Sequence, residues 1–181
     1  IILAFVLLFI KDETRAQNKE YISFAEIFKY IATKPLLYTG HIIVFTAITI
    51  LAYGTISWMP SLLVRVHHIT TSQAGINLGL IMLFVGPLAV WTSSYLFDKF
   101  VKQNNINGII GLIFIAIITL SIAAPLYANA PNLNSALFYS IFLIFGQSFP
   151  YGLASAVLAL ISLPKYRGQI TSIYLLISNL I

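Results

Sequence analysis

The sequence predicts an all-α fold, a polytopic membrane helix bundle, and three observations carry that expectation. Hydrophobic residues make up 59% of the chain and charged residues only 8%, against about a quarter charged in soluble domains. The charges are separated by long uncharged runs: residues 35–64, 66–97 and 103–164 contain no Lys, Arg, Asp or Glu. About 20 helical residues cross a hydrocarbon core, so each run has spanning length. The runs also lack β-barrel alternation, and lipid tolerates no unpaired backbone, which leaves helices.

Taken in order, residues 1–10 ("IILAFVLLFI") read as the end of a spanning helix. No basic leader or small-residue cleavage site accompanies them, so they are not a signal peptide. Residues 11–35 form a polar linker. Within it, "SFAEIFKYIATK" spaces Phe24, Ile27, Phe28 and Ile31 helically, with Glu26 and Lys29 on other faces. That pattern fits an interfacial amphipathic helix or an ordinary solvated one. Residues 36–181 form a bundle with spans expected at 36–64, 73–97, 106–126, 135–163 and 169–181. The longest run divides at "YANAPNLN", where asparagines and Pro131 signal a turn. Neither end looks like a natural terminus, so a fragment is expected.

Lys and Arg fix an orientation. Lys11, Arg15, Lys19, Lys29, Lys34, Lys99, Lys102, Lys165 and Arg167 fall on alternate connections, and Arg65 alone falls on the others. The positive-inside rule makes residues 11–34, 98–105 and 164–168 cytoplasmic, in a plasma or inner membrane. Arg65 would then end the second span at the external interface, with His67 and His68 in the loop.

Several function classes are excluded. The net charge of +5 is scattered and forms no stripe for nucleic acid. There is no cysteine, hence no disulfide or thiol chemistry. Asp12, Glu13, Glu20, Glu26 and Asp98, the five carboxylates, all lie outside the expected spans. No acid sits at mid-membrane depth to carry a proton or a cation. His41 is near the cytoplasmic end of its span. His67 and His68 have no neighbouring acid or cysteine to complete a metal site. With no Ser/His/Asp set or phosphate loop, neither an enzyme nor a cofactor is expected.

What remains is uncharged polarity at helical spacing. Thr46, Thr49, Tyr53 and Ser57 share one arc of the second span. Ser140, Gln147, Tyr151, Ser155 and Ser162 do so in the fifth, and Thr171, Tyr174 and Ser178 in the sixth. Such residues can glue helices together, at about 0.6 kcal/mol per contact. They can also line a solute path, and the larger groups of Tyr53, Gln147 and Tyr151 favour that reading. Pro87, after Gly86, and Pro150, between Gly146 and Gly152, are expected to kink their helices. Pro150 lies beside Gln147 and Tyr151, and broken helices near a midplane point to binding sites. Gly75 and Gly79 read as close packing.

The chain resembles the C-terminal half of a major facilitator superfamily transporter, from the end of the sixth helix into the eleventh. "SYLFDKFVK" is similar to that superfamily's loop signature G-x-L-x-D-[RK]-x-G-[RK]: Leu96, Asp98, Lys99 and Lys102 match, and Ser94 and Val101 replace the glycines. "WMPSLLVRVHHITTSQAG" and "YRGQITSIYLLISNLI" look most like the Spinster-like branch, whose eukaryotic members move lysolipids and sphingoid phosphates. The resemblance implies a secondary carrier that works by alternating access, a monomer when complete, with the lipid bilayer and a missing N-terminal half as partners. Asp98, Lys99 and Lys102 would sit at the cytoplasmic gate, Asp98 favouring the outward-open state, or the lysines would only set topology. A coupling carboxylate would lie in the missing half, with His41 as the candidate here. A tyrosine-rich, uncharged site suits a small organic or amphiphilic solute. The competing classes are a membrane scaffold or assembly subunit and a channel, although no charge ring or filter loop appears.

Overall fold

The structure, a computed structural model, describes residues 23–180. The expected helix end at 1–10, most of the linker and Asp12, Glu13 and Glu20 lie outside the described residues. A short helix, α1 (Phe24–Ile31), precedes α2 (Pro35–His67), α3 (Thr71–Lys102) and α4 (Ile106–Ala128). Then come α5 (Leu133–Ser148), α6 (Tyr151–Ile161), a 3₁₀ turn at Pro164–Tyr166 and α7 (Arg167–Leu180). No strand occurs among the described residues. α2, α3, α4 and the α5–α6 pair are each long and apolar enough to cross a membrane.

Local chemistry sets the helix ends. Ser23 Oγ accepts from the Glu26 amide at 3.2 Å and starts α1. Pro35 occupies the first turn of α2, where its missing N–H costs nothing. Thr70 and Gln73 cap α3 reciprocally, a capping box. Asn105 Oδ1 accepts from the Gly108 amide and Asn132 Oδ1 from the Ser135 amide, in the first turns of α4 and α5. Connections of three or four residues then make neighbours antiparallel.

Two helices outrun the expected spans. α2 continues through Arg65 and His67, so His67 is helical and the connection is only His68–Thr70, with His68 in the left-handed region (φ 54). α3 continues to Lys102, so Asp98, Lys99 and Lys102 occupy its last turns and not a loop. The charges that close an apolar run end contact with lipid. They do not end the backbone hydrogen bonding, because Lys and Arg are good helix formers. The prolines also differ from one another: α3 runs on through Pro87, whereas Pro150 separates α5 from α6.

α3 packs against α4, α5 and α6, while α2 packs against α3, α5 and α7. The backbones come close at Gly152 of α6. A Cβ there would meet Ser93 Oγ at 2.2 Å and the Val90 carbonyl at 2.7 Å, both on α3. Two buried clusters result. One joins Ile27, Tyr38, Phe97, Leu158 and Tyr166 at the end carrying α1. The other joins Met59, Leu63, Leu78, Tyr127 and Leu143 at the opposite end.

Candidate functional site

The polar stripes divide into two layers. Thr46, Thr49, Ser140, Gln147, Ser162, Tyr174 and Ser178 are buried between helices, and Thr171 is half-buried. Tyr53, Ser57, Tyr151 and Ser155 are exposed. The layering follows from helix geometry: a stripe 100° wide straddles the boundary between a packed face and a free one.

Part of the buried layer is satisfied locally. Thr49 Oγ1 donates to the Phe45 carbonyl at 2.8 Å, Ser140 to Leu137 and Ser178 to Leu175, the helix-internal bonding expected of short hydroxyls. Thr46 Oγ1 and Gln147 Oε1 are different, being buried without a hydrogen-bond partner among the described residues. An unpaired buried polar atom costs about 1–3 kcal/mol. Gln147 lies three residues before Pro150, whose ring supplies no backbone donor to the preceding turn.

The exposed layer is linked across helices. Tyr53 Oη, on α2, donates to Asn179 Oδ1, on α7, at 3.2 Å. Asn179 is held for this role, since its own Nδ2 donates to the Leu175 carbonyl at 2.8 Å. Tyr151, at the start of α6, is exposed as Tyr53 and Asn179 are. Three helices thus each expose an uncharged polar side chain, Tyr53, Tyr151 and Asn179, with the buried Tyr174 preceding Asn179 on α7. Beside it, His41 packs on Phe45 (4.4 Å between ring centroids) and edge-on to Tyr174 (5.4 Å), with Nε2 unpartnered.

Asn179 was missed in the sequence. It stands beside Ser178, one step off the stripe that spacing selects, and only its bond to Tyr53 identifies it. Ser57 and Ser155 are exposed but make no side-chain hydrogen bond among the described residues. A recess of about 400 Å³ lined by Thr55, Trp58, Met59, Leu62, Arg65 and Tyr127 takes in none of the stripe residues. Its wall is almost wholly apolar, so cavity size and polar chemistry do not coincide.

Asp98 is exposed in the last turn of α3 and makes no ion pair among the described residues. Among the described residues, no three His, Asp or Glu side chains gather as a metal would require.

The end that carries α1 is joined by side chains across long sequence separations. Glu26 accepts from the Tyr166 hydroxyl and from Lys165 Nζ (3.2 Å). The Leu163 amide donates to Tyr30 Oη at 3.1 Å. Tyr38 Oη donates to the Ile161 carbonyl at 3.3 Å and lies 3.2 Å from Ser162 Oγ. The Tyr166 hydroxyl, and then Lys165, hold the Glu26 carboxyl below its ordinary 4.5.

No curated protein and no solved structure matches the chain. The Major Facilitator Superfamily profile matches residues 1–181, its whole length. That match concerns the superfamily as a whole and does not single out the Spinster-like branch. Long apolar helices, short connections and a profile match from end to end lead to one conclusion: the chain belongs to the major facilitator superfamily, a family of membrane transporters.

Proposed function

We propose that this chain is the C-terminal half-bundle of a secondary active transporter that moves a small organic or amphiphilic solute by alternating access. The observation that carries this reading is the set of exposed, uncharged polar side chains on three helices: Tyr53 bonded to Asn179, and Tyr151 at the Pro150 break. Exposed to acyl chains, an amide and phenol hydroxyls would lose hydrogen bonds that hydrocarbon cannot replace. Turned toward a second half-bundle, the same groups line a wet path. They offer donors, acceptors and aromatic surface but no fixed charge, which suits a neutral or zwitterionic solute with an apolar body.

The buried stripe residues Thr46, Thr49, Gln147 and Ser178 support that set from behind, Thr171 and Tyr174 flank it, and Ser57 and Ser155 extend it. The Pro150 break places Tyr151 at its edge. The end carrying α1, Asp98, Lys99, Lys102, Lys165 and Arg167 is the cytoplasmic one. Asp98 faces the negative end of its own helix dipole, so a cation or a helix N-terminus from the other half would steady it and bias the gate.

The test is uptake by the complete transporter in proteoliposomes, screened with labelled neutral and zwitterionic amphiphiles. Tyr53→Phe and Asn179→Ala each remove the Tyr53–Asn179 hydrogen bond, worth about 1 kcal/mol, and should each lower uptake about fivefold. Trp91→Phe, on an exposed part of α3, should not. Equal effects at all three positions, or no uptake of any solute by the intact protein, would favour a membrane scaffold or assembly subunit. Asp98→Asn should change gate accessibility and leave solute selectivity intact.

A further inference from the structure

The short helix α1 has three faces with different surroundings. At about 100° per residue, Glu26, Ile27 and Tyr30 share one side, Phe24, Phe28 and Ile31 a second, and Ala25 with Lys29 the third. The first side is fixed to the bundle. Ile27 is 1% exposed, Glu26 accepts from Tyr166 and Lys165, and Tyr30 accepts from the Leu163 amide. The second side is apolar and open, with Phe24 71% and Phe28 59% exposed. Exposed apolar surface recurs at the foot of α2 in Leu36 and Leu37, where Lys34 stands beside them.

A helix whose apolar sector lies between a protein-bound sector and a charged one is built to lie in the plane of a membrane surface. Connectivity puts α1 at that depth, because α2 enters its apolar span at Pro35, directly after the turn that ends α1. The local charge selects the lipid. Among the described residues, Lys29, Lys34, Lys99, Lys102, Lys165 and Arg167 lie at this end, opposed by Asp98 and by a Glu26 already engaged with Lys165. Anionic headgroups are attracted to such a basic surface.

We propose that α1 is a membrane-surface anchor for the α6–α7 connection. Phe24 and Phe28 seat among the acyl chains of the adjoining leaflet, and Lys29 and Lys34 meet anionic headgroups. Glu26 and Tyr30 carry that anchorage to residues 161–167. Lipid composition thereby bears on the start of α7, the helix that presents Tyr174 and Asn179. The inference goes beyond the transport reading and does not depend on which solute is moved.

The test uses spin labels in the complete protein, in nanodiscs of phosphatidylcholine with and without phosphatidylglycerol. The chain contains no cysteine, so Phe24→Cys, Phe28→Cys and Lys29→Cys place single labels within it, any cysteines elsewhere being replaced. Labels at 24 and 28 should be relaxed by oxygen and shielded from a water-soluble nickel complex, and the label at 29 should show the reverse. Phosphatidylglycerol should deepen the labels at 24 and 28. It should also slow a label at Leu163→Cys, and Glu26→Gln should abolish that slowing. Labels at 24 and 28 as open to nickel as the one at 29 would overturn the proposal. So would labels shielded from both reagents, which would mean protein covers this face, or no response to phosphatidylglycerol at any position.

Discussion

The two ends of the bundle are held together by different means. At the α1 end, side chains reach across more than 120 residues of sequence: Tyr38 to Ile161 and Ser162, Tyr30 to Leu163, Glu26 to Lys165 and Tyr166. At the Arg65 end the helices meet through apolar packing, helix caps and, among the described residues, a single long-range side-chain bond, Tyr127 Oη to the Met59 carbonyl at 2.9 Å. The difference teaches where the fold depends on polar specificity. A connection that turns between two helices, such as residues 162–166, leaves backbone groups that need partners. At the three-residue connection His68–Thr70, the Thr70 amide is met locally by Gln73 Oε1 of the cap.

The largest expected effect lies between these ends, at the seam that unites them. Gly152→Leu would drive a side chain into Ser93 and the Val90 backbone. Overpacking of this kind costs about 1–3 kcal/mol or more, and it should lower the melting temperature of the complete transporter in detergent. Next comes Tyr127→Phe, which removes the Tyr127–Met59 bond of the Arg65 end and should cost about 1 kcal/mol. The matched Tyr139→Phe, which loses no hydrogen bond among the described residues, should be nearly silent in the same melts.

Acidification should act at the other end, and more weakly, because the Glu26–Lys165 pair is half exposed. The sign follows from linkage. Glu26 has its carboxyl lowered by Tyr166 and Lys165, so its contribution is complete above the ordinary 4.5 and disappears as pH falls through the lowered value. A label at Leu163→Cys should therefore be steady near neutrality and loosen only in strong acid. Glu26→Gln should remove that acid step and leave the Arg65 end unchanged. The smallest effect belongs to Lys29→Gln, on the exposed polar side of α1, which should shift stability by less than about 0.5 kcal/mol.

How much of this was legible follows from the physics of each feature. The spans were legible because run length and lack of charge are membrane requirements that a single stretch of sequence displays. Their ends were less so: Arg65, Lys99 and Lys102 break hydropathy while continuing the helix. Pro150 stood out beside two glycines and does divide a helix, whereas Pro87, equally visible, leaves α3 continuous. The pairing of Glu26 with Lys165 and Tyr166 was not legible, since nothing local links residues so far apart. Spacing likewise selected Ser178 and passed over Asn179, because a stripe marks a direction on a helix and not the partner that waits there.

The central claim is that Tyr53 and Tyr151 face water and not lipid. Single cysteines at these positions, and at Leu83 and Phe84 on the exposed apolar side of α3, can be challenged with a charged, water-soluble thiol reagent in membranes containing the complete protein. The account predicts rapid modification at 53 and 151 and none at 83 and 84. Four equally unreactive positions would place the tyrosines among acyl chains and contradict it.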